Sequence, residues 1–299
     1  MFRKAGEVIE ECEKRGLHIK DLVLEEELKS SQINKDDILY NLTQMFKVME
    51  ESATGNLNHE TKTAMGMIDG FAKKMNAYSK EGKSITGSFV TEAMAMAFST
   101  LEISAAMGEI VASPTAGSSG ILPAILYSLK KREGFSDEKI VDAMLTAIGV
   151  GKIIGYYGSF AGAEGGCQAE TGSGAAMGAA AACYLYDQSP EVCFHAASFA
   201  FLHVLGLVCD PIAGLVEYPC TFRNASGVVN AFMSADMAMA GITSIVPFDE
   251  VCKAAGEVGA TLPEALRETG IGGIAGTETG RKIRKKFFAL GNDSTKENK

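Results

Sequence analysis

The 299-residue sequence lacks a net basic charge, a membrane-length apolar run and an apolar leader, and its one basic cluster, residues 281–286, lies at the end of a predicted terminal helix. Its net charge of −9 argues against a nucleic-acid partner, because phosphate binding requires a basic face. The most apolar segment, residues 193–209, contains two histidines and is shorter than the roughly 20 residues that a spanning helix needs. We interpret it as a buried helix and expect no membrane partner. Because residues 1–4 lead into an acidic amphipathic segment, we expect no signal peptide and a cytoplasmic location.

Sequence signals for β-strands are also scarce, since no sustained alternation of apolar and polar residues ends in an Asn-Gly or Asp-Gly turn. Apolar residues recur at helical spacing instead, and Asn34, Ser136 and Ser189 are expected N-caps. The sequence therefore predicts an all-α fold. The predicted helices span residues 2–15, 35–53, 62–79, 90–109, 120–132, 136–148, 174–187, 190–203, 223–241, 248–256 and 278–289.

The composition changes along the chain without a clear linker. Residues 1–85 carry many charges and are interpreted as an outer helical layer, whereas residues 87–245 are rich in Gly, Ala, Ser and Met. Small residues allow helices to approach closely, so this second segment is expected to form the core and hold the functional loops. We predict one all-helical catalytic domain over residues 1–290, followed by a disordered tail over 291–299.

Two glycine-rich segments resemble nucleotide motifs only superficially. Residues 172–178 have one residue too many for a dinucleotide fingerprint, and residues 149–152 lack the spacing of a P-loop. The segment 113–120 differs, because a Gly/Ser turn leads directly into an apolar helix. Free backbone N–H groups and hydroxyls at such a turn can bind a carboxylate or phosphate. A well-capped helix start explains the same pattern equally well.

The seven cysteines include no Cys-x-x-Cys pair and are expected to be reduced thiols or metal ligands. Four of them lie in helical runs and are expected to be buried and inert: Cys12, Cys183, Cys193 and Cys252. Cys167, Cys209 and Cys220 instead stand at predicted bends. If the three thiolates converge, they can bind an iron–sulfur cluster or zinc; otherwise they are three unrelated thiols. Three ligands would leave one metal position open, which suits catalysis.

Five segments, in order, carry a family resemblance: residues 105–124 (AAMGEIVASPTAGSSGILPA), 165–173 (GGCQAETGS), 206–220 (GLVCDPIAGLVEYPC), 223–242 (RNASGVVNAFMSADMAMAGI) and 266–280 (LRETGIGGIAGTETG). On these segments the chain resembles the alpha chain of the iron–sulfur-dependent L-serine dehydratases (L-serine ammonia-lyases), which are oxygen-sensitive carbon–nitrogen lyases. The resemblance implies one [4Fe-4S] cluster held by Cys167, Cys209 and Cys220, with the fourth iron as a Lewis acid. It implies no pyridoxal phosphate. Gln168 and Glu170 would supply polar contacts around the cluster.

The resemblance also implies that the Gly/Ser segment is the loop that binds L-serine. Its substrate-binding residues would be Ser113, Thr115, Ala116, Gly117, Ser118, Ser119 and Gly120. The base that removes the α-proton would be Ser118 or Ser119, or a histidine of a beta chain. His195 and His203 are expected to be core residues rather than the base.

The chain departs from some relatives in ways that bear on its partner. It has no room for the regulatory domain that some relatives fuse to this one, so we expect the two-subunit type with a separate beta chain. It has no cysteine near residue 299, where some single-chain relatives end in one. Elimination from L-cysteine or L-threonine stays open, as do an electron-transfer iron–sulfur protein and a structural zinc scaffold.

Overall fold

The computed structural model describes the backbone of residues 3–294 and the side chains of residues 3–289. All long elements in this part of the chain are helices, which confirms the predicted all-α fold. The helices are α1 (Ala5–Arg15), α2 (Ile19–Ser30), α3 (Lys35–Thr54), α4 (Phe71–Ser79), α5 (Gly87–Ala105), α6 (Ile121–Glu133), α7 (Asp137–Tyr157), α8 (Gly162–Gly165), α9 (Ser173–Leu185), α10 (Pro190–Leu202), α11 (Cys220–Met239), α12 (Phe248–Thr261) and α13 (Glu278–Ser294). An isolated bridge pairs Cys209 with Arg267.

The three predicted N-caps are confirmed by their hydrogen bonds. The side-chain oxygen of Asn34 accepts from the N–H of Asp37 at 2.9 Å, and Ser136 accepts from Lys139 at 3.3 Å. Ser189 accepts from Val192 at 3.4 Å, with Pro190 as the first residue of α10. Each cap satisfies a backbone donor that the first turn of a helix leaves free.

Two helix predictions were wrong, and both errors have a tertiary cause. Helix α2 was not predicted; it starts at a capping box of His18 and Asp21, and buries Ile19 and Val23. Residues 62–70 were predicted as helix but form a loop, because the carboxylate of Glu217 takes backbone N–H groups that a helix would use.

Helix α9 lies at the centre of the core, and all thirteen of its residues are buried. Its neighbours include α6, α7, α10 and α11. The helices approach closely because α9 consists largely of glycine and alanine. A Cβ added to Gly178, for example, would lie 2.3 Å from Cδ1 of Ile125. The small residues that dominate residues 87–245 thus bring the helices together, as expected.

Helix α7 has the length and apolar composition to cross a membrane, and no other helix in the described residues does. The most apolar part of α7 is 67% buried inside the fold, which is how a core helix of a globular protein looks. Residues 193–209 form a buried helix only as far as Leu202, where α10 ends. The predicted tail overlaps the end of α13 at residues 291–294, and its last five residues lie outside the described residues.

Candidate active site

The three cysteines at predicted bends are all buried, and each stands where a helix begins or where backbone segments cross. Cys167 follows Gly166, whose φ is +75°. A Cβ added to Gly166 would lie 2.7 Å from the carbonyl oxygen of Leu207. Only glycine allows this crossing, because it tolerates the left-handed backbone and has no side chain to clash. Cys209 is held in the isolated bridge to Arg267, and Cys220 is the first residue of α11. Their exposed fractions are 1%, 1% and 3%.

The three thiols share one space. Burial raises the pKa of each, and the Cys167 thiolate further raises the pKa of both Cys209 and Cys220. Three thiolates this close in a buried site would repel one another, unless a group with positive charge of its own binds them. The other four cysteines are buried in the fold as predicted.

The donor set fits an iron–sulfur cluster. Three soft sulfur donors are buried here. Burial raises the pKa of the Cys167 thiol, and the positive charge of the buried Arg223 opposes that rise. The Nη1 atom of Arg223 is buried and has no hydrogen-bond partner among the described residues. Within the described residues, no three His, Cys, Asp or Glu side chains are arranged around a single metal ion.

An ion pair ties two of the cysteine segments together. Arg223, one turn after Cys220, donates from Nη2 to Oδ1 of Asp210 at 2.7 Å. The other oxygen of Asp210 accepts from the N–H of Ile274 at 2.7 Å. A Cβ on Gly273 would lie 2.2 Å from that carboxylate, which explains a glycine in this loop. The pair therefore fixes residues 209–210, the start of α11 and the 273–274 loop against one another.

The loop of residues 113–120 lies against the same helix. It contains a short 3-10 turn, Ala116–Ser118, and leads into α6. Asn224 joins it to α11: its oxygen accepts from the N–H of Gly120 at 3.0 Å, and its amide donates to the carbonyls of Gly117 and Cys220 at 2.7 and 2.9 Å. Sequence analysis did not single out Asn224, although its place four residues after Cys220 puts it on the same helix face.

The predicted loop residues are placed where they can bind an anion. The N–H groups of Ala116 and Gly117 have no hydrogen-bond acceptor among the described residues, and the buried hydroxyl of Ser113 has no partner there either. The N–H groups of four other predicted loop residues already have acceptors: Thr115 bonds to Ser118, Ser118 to Thr115, Ser119 to Ala116 and Gly120 to Asn224.

The two predicted serines differ in their partners, although both are fully buried. The Ser119 hydroxyl donates back to the carbonyl of Ala116 at 2.8 Å. The Ser118 hydroxyl lies 3.2 Å from Oγ1 of Thr115, which in turn donates to Oε1 of Glu170 at 2.8 Å. Ser118 is therefore linked through one hydroxyl to a carboxylate.

Glu170 is the site residue whose place sequence analysis underestimated. Its Oε2 lies 3.9 Å from the sulfur of Cys209, so the carboxylate stands between the loop and the thiols. Burial raises the pKa of Glu170 to about 6. A glutamate three residues after Cys167 was a signal, but the sequence could not show which way it points.

The segment around Cys167 is also fixed by hydrogen bonds to α12 and to Gly206. The Gln168 amide donates to the carbonyl of Ala255 in α12 at 2.8 Å and accepts from the N–H of Gly206 at 2.8 Å. Gln168 borders a cavity of 320 Å³ beside α12. This support fixes the backbone from which the Cys167 thiol projects.

The histidines of residues 193–209 do not contact the described site residues. His203 is exposed, so its expected place in the core was wrong: α10 ends before it, and its ring instead bonds to Oδ1 of Asn230 at 2.7 Å. His195 is partly buried and accepts from the N–H of Ser244 at 3.2 Å.

Fold and site together define an all-helical protein with a buried polar centre of three thiols, a Gly/Ser loop and a carboxylate. The family model of the serine dehydratase alpha chain matches residues 14–275. The chain belongs to this family.

Named relatives cover nearly the whole chain. The L-serine dehydratase alpha chain of Peptoniphilus asaccharolyticus is 56% identical over 291 residues, which are 97% of this chain and 100% of the relative. The probable L-serine dehydratase alpha chain of Bacillus subtilis is 42% identical over 99% of both chains. The L-serine dehydratase TdcG of Escherichia coli is 33% identical over 92% of this chain but only 61% of its own length.

Proposed function

We propose that this chain is the alpha chain of an L-serine dehydratase, a lyase that converts L-serine to pyruvate and ammonia. The observation that carries the proposal is the meeting of three buried thiols with the Gly/Ser loop, in a chain 56% identical to a protein named as such an alpha chain. The relatives named as alpha chains support a separate beta chain as partner. We place the enzyme in the cytoplasm, where buried free thiols stay reduced.

Cys167, Cys209 and Cys220 would hold one [4Fe-4S] cluster. When bound, the cluster would supply Lewis acidity that makes the substrate hydroxyl a better leaving group, so that no pyridoxal phosphate is needed. Arg223 would offset negative charge on the thiolates, because its positive charge lowers the pKa of Cys167 and Cys220 against the larger effect of burial.

The loop would bind the substrate carboxylate. The N–H groups of Ala116 and Gly117 have no acceptor among the described residues, and the Ser113 hydroxyl in the same loop is a further donor. Asn224 keeps the loop in this conformation by bonding to Gly117 and Gly120. Gly117 is buried, so its N–H group binds an anion more strongly than it would in water, whereas Ala116 is exposed.

A base must remove the α-proton before hydroxide leaves, and the resulting enamine then tautomerises and hydrolyses. Of the two serines, Ser118 is the better candidate, because Thr115 connects its hydroxyl to the Glu170 carboxylate. Ser119 uses its proton in a local bond to Ala116. A histidine of the beta chain is the other candidate.

The test is anaerobic co-purification with the beta chain, followed by iron and sulfide analysis and by assays of pyruvate release from L-serine before and after exposure to air. L-threonine and L-cysteine are assayed in parallel, because the site geometry does not distinguish these substrates. Cys209→Ser should lose iron and activity. The matched control is Cys183→Ser, a buried core cysteine, which should keep both. A full four-iron spectrum in Cys209→Ser would refute the ligand assignment.

A further inference from the structure

The carboxylate of Glu170 is enclosed by the parts of the molecule that would hold cluster and substrate. Its Oε1 accepts from Thr115 in the loop at 2.8 Å, and its Oε2 lies 3.9 Å from Cys209. A Cβ on Gly117 would lie 2.6 Å from the carboxylate, and a Cβ on Gly162 would lie 3.0 Å from it. Glycines at both positions let the loop and α8 close on the carboxylate.

This carboxylate is buried but poorly satisfied. Glu170 is 7% exposed, yet Thr115 is its one conventional hydrogen-bond donor within the described residues. A carboxylate can accept about four hydrogen bonds, and a buried one normally has them or a cation. No lysine or arginine in this part of the chain forms an ion pair with it, and the nearby Arg223 is bound to Asp210.

The carboxylate lies against the loop whose N–H groups lack an acceptor among the described residues, since Thr115 bonds to it and Gly117 is beside it. The unpaired N–H groups of Ala116 and Gly117 lie in the same loop that donates to Glu170 through Thr115. An α-amino acid carries its carboxylate and its ammonium on one carbon. Anion donors beside an unsatisfied carboxylate are complementary to that pair of charges.

We propose that Glu170 binds the ammonium group of the substrate and thereby selects α-amino acids over the corresponding hydroxy acids. The inference rests on the proposed function for the identity of the substrate. The substrate would supply the cation and the N–H donors that Glu170 lacks in the free protein. A site that bonds a substrate N–H strongly rejects the analogue without it, because the buried group is then left unpaired.

The experiment compares two ligands that differ only in the amino group, L-serine and 3-hydroxypropanoate. For the native alpha–beta complex and for Glu170→Gln, both loaded anaerobically, pyruvate release gives the KM of L-serine, and inhibition of that release gives the inhibition constant of 3-hydroxypropanoate. We expect the variant to bind L-serine roughly 10- to 100-fold more weakly, with the affinity for 3-hydroxypropanoate changed less than about threefold. Glu164→Gln, an exposed carboxylate three residues before Cys167, is the control and should bind as the native enzyme does.

Three results would overturn the inference. The first is an equal loss of both ligands, which would mean that the variant distorts the whole site. The second is an altered cluster spectrum or iron content in Glu170→Gln, which would make Glu170 a ligand of the cluster. The third is unchanged discrimination between the ligands. If Glu170→Gln folds poorly, Glu170→Asp is measured instead. It keeps the negative charge and should therefore retain part of the preference for L-serine. Failure of the proposed function has a different signature, since the loaded native complex would then release no pyruvate from L-serine.

Discussion

Two regions of the molecule bury carboxylates, and they use them differently. The first is the anchoring region, residues 56–72, which donates hydrogen bonds to carboxylates from elsewhere in the chain. The carboxylate of Glu217 accepts there from Thr63 Oγ1 at 2.8 Å and from the N–H groups of Met65 and Met67 at 2.7 and 3.1 Å. Glu102 accepts there from the N–H of Ala72 at 2.9 Å and from the Asn56 amide at 3.1 Å. In the candidate active site, Glu170 has Thr115 alone as a conventional donor among the described residues.

The difference separates a structural role from a binding role. A carboxylate with both oxygens bonded to the protein holds the groups that bond to it, and has little capacity left for a ligand. A buried carboxylate with free acceptor sites carries a desolvation cost that a ligand can relieve. The anchoring region is therefore expected to depend on its carboxylates for stability, and the candidate active site on its carboxylate for recognition.

The largest effect is expected for Glu217→Ala. The N–H groups of Met65 and Met67 lose their acceptor, whereas Thr63 Oγ1 keeps Asp69 as a partner. Each unsatisfied donor costs about 1–3 kcal/mol, so we expect a loss of about 2–6 kcal/mol in the free energy of unfolding. Anaerobic urea unfolding of the purified chain measures it. Glu81→Ala, an exposed carboxylate, should change the free energy by less than about 0.5 kcal/mol. Equal midpoints for the two variants would show that the loop does not depend on Glu217.

The second effect concerns pH and Glu102. Burial raises its pKa to about 7 from an ordinary 4.5, so the folded state binds the proton more tightly than the unfolded state. The resulting stabilisation is complete below pH 4.5 and is lost as the pH rises to about 7. Glu102→Gln removes this dependence, so the stability of the native chain relative to the variant should fall by about 3 kcal/mol across that window. Urea unfolding of both proteins at several pH values measures the difference, and parallel curves would contradict it.

A smaller effect is expected where the loop meets Glu170. A Cβ at Gly117 would overlap the carboxylate, so Gly117→Ala should cost about 1–3 kcal/mol in stability and also weaken L-serine binding. Gly6→Ala is the matched control, since no atom lies within 4 Å of its added Cβ and alanine favours a helix such as α1. Thermal unfolding and serine titration of both variants test this. Unchanged binding in Gly117→Ala would place the substrate elsewhere.

The smallest effect on stability is expected for Glu170→Gln. The glutamine keeps an oxygen for Thr115 and leaves no other donor unpaired, so the free energy of unfolding should change by less than about 1 kcal/mol. The same unfolding experiment as for Glu217→Ala gives the comparison. A loss as large as that of Glu217→Ala would remove the distinction between the two regions.

Much of the architecture could be predicted because its signals are local. The caps at Asn34, Ser136 and Ser189 depend on residues within one turn, and the helices that follow them begin where predicted. The loop at 62–70 could not be predicted, because its backbone donors bind a carboxylate some 150 residues away in the chain. His203 was misplaced for a related reason, since nothing local marks the end of α10 at Leu202.

For the candidate site, the identities of the residues could be read in advance but their mutual arrangement could not. The bends that carry Cys167, Cys209 and Cys220 are marked by neighbouring glycines and prolines, and the Gly/Ser loop by its composition. The role of Asn224 as a link and the position of Glu170 between loop and thiols depend on packing of distant segments.

The sequence by itself determined the all-helical class, the helix starts capped by Asn34, Ser136 and Ser189, and which cysteines stand at bends, because backbone propensities and capping act over a few residues. Only the tertiary structure decided that Glu217 is saturated while Glu170 is not. Whether a buried carboxylate finds donors depends on which backbone crosses it, and those crossings are set by the packing of α9 and its neighbours rather than by any local pattern.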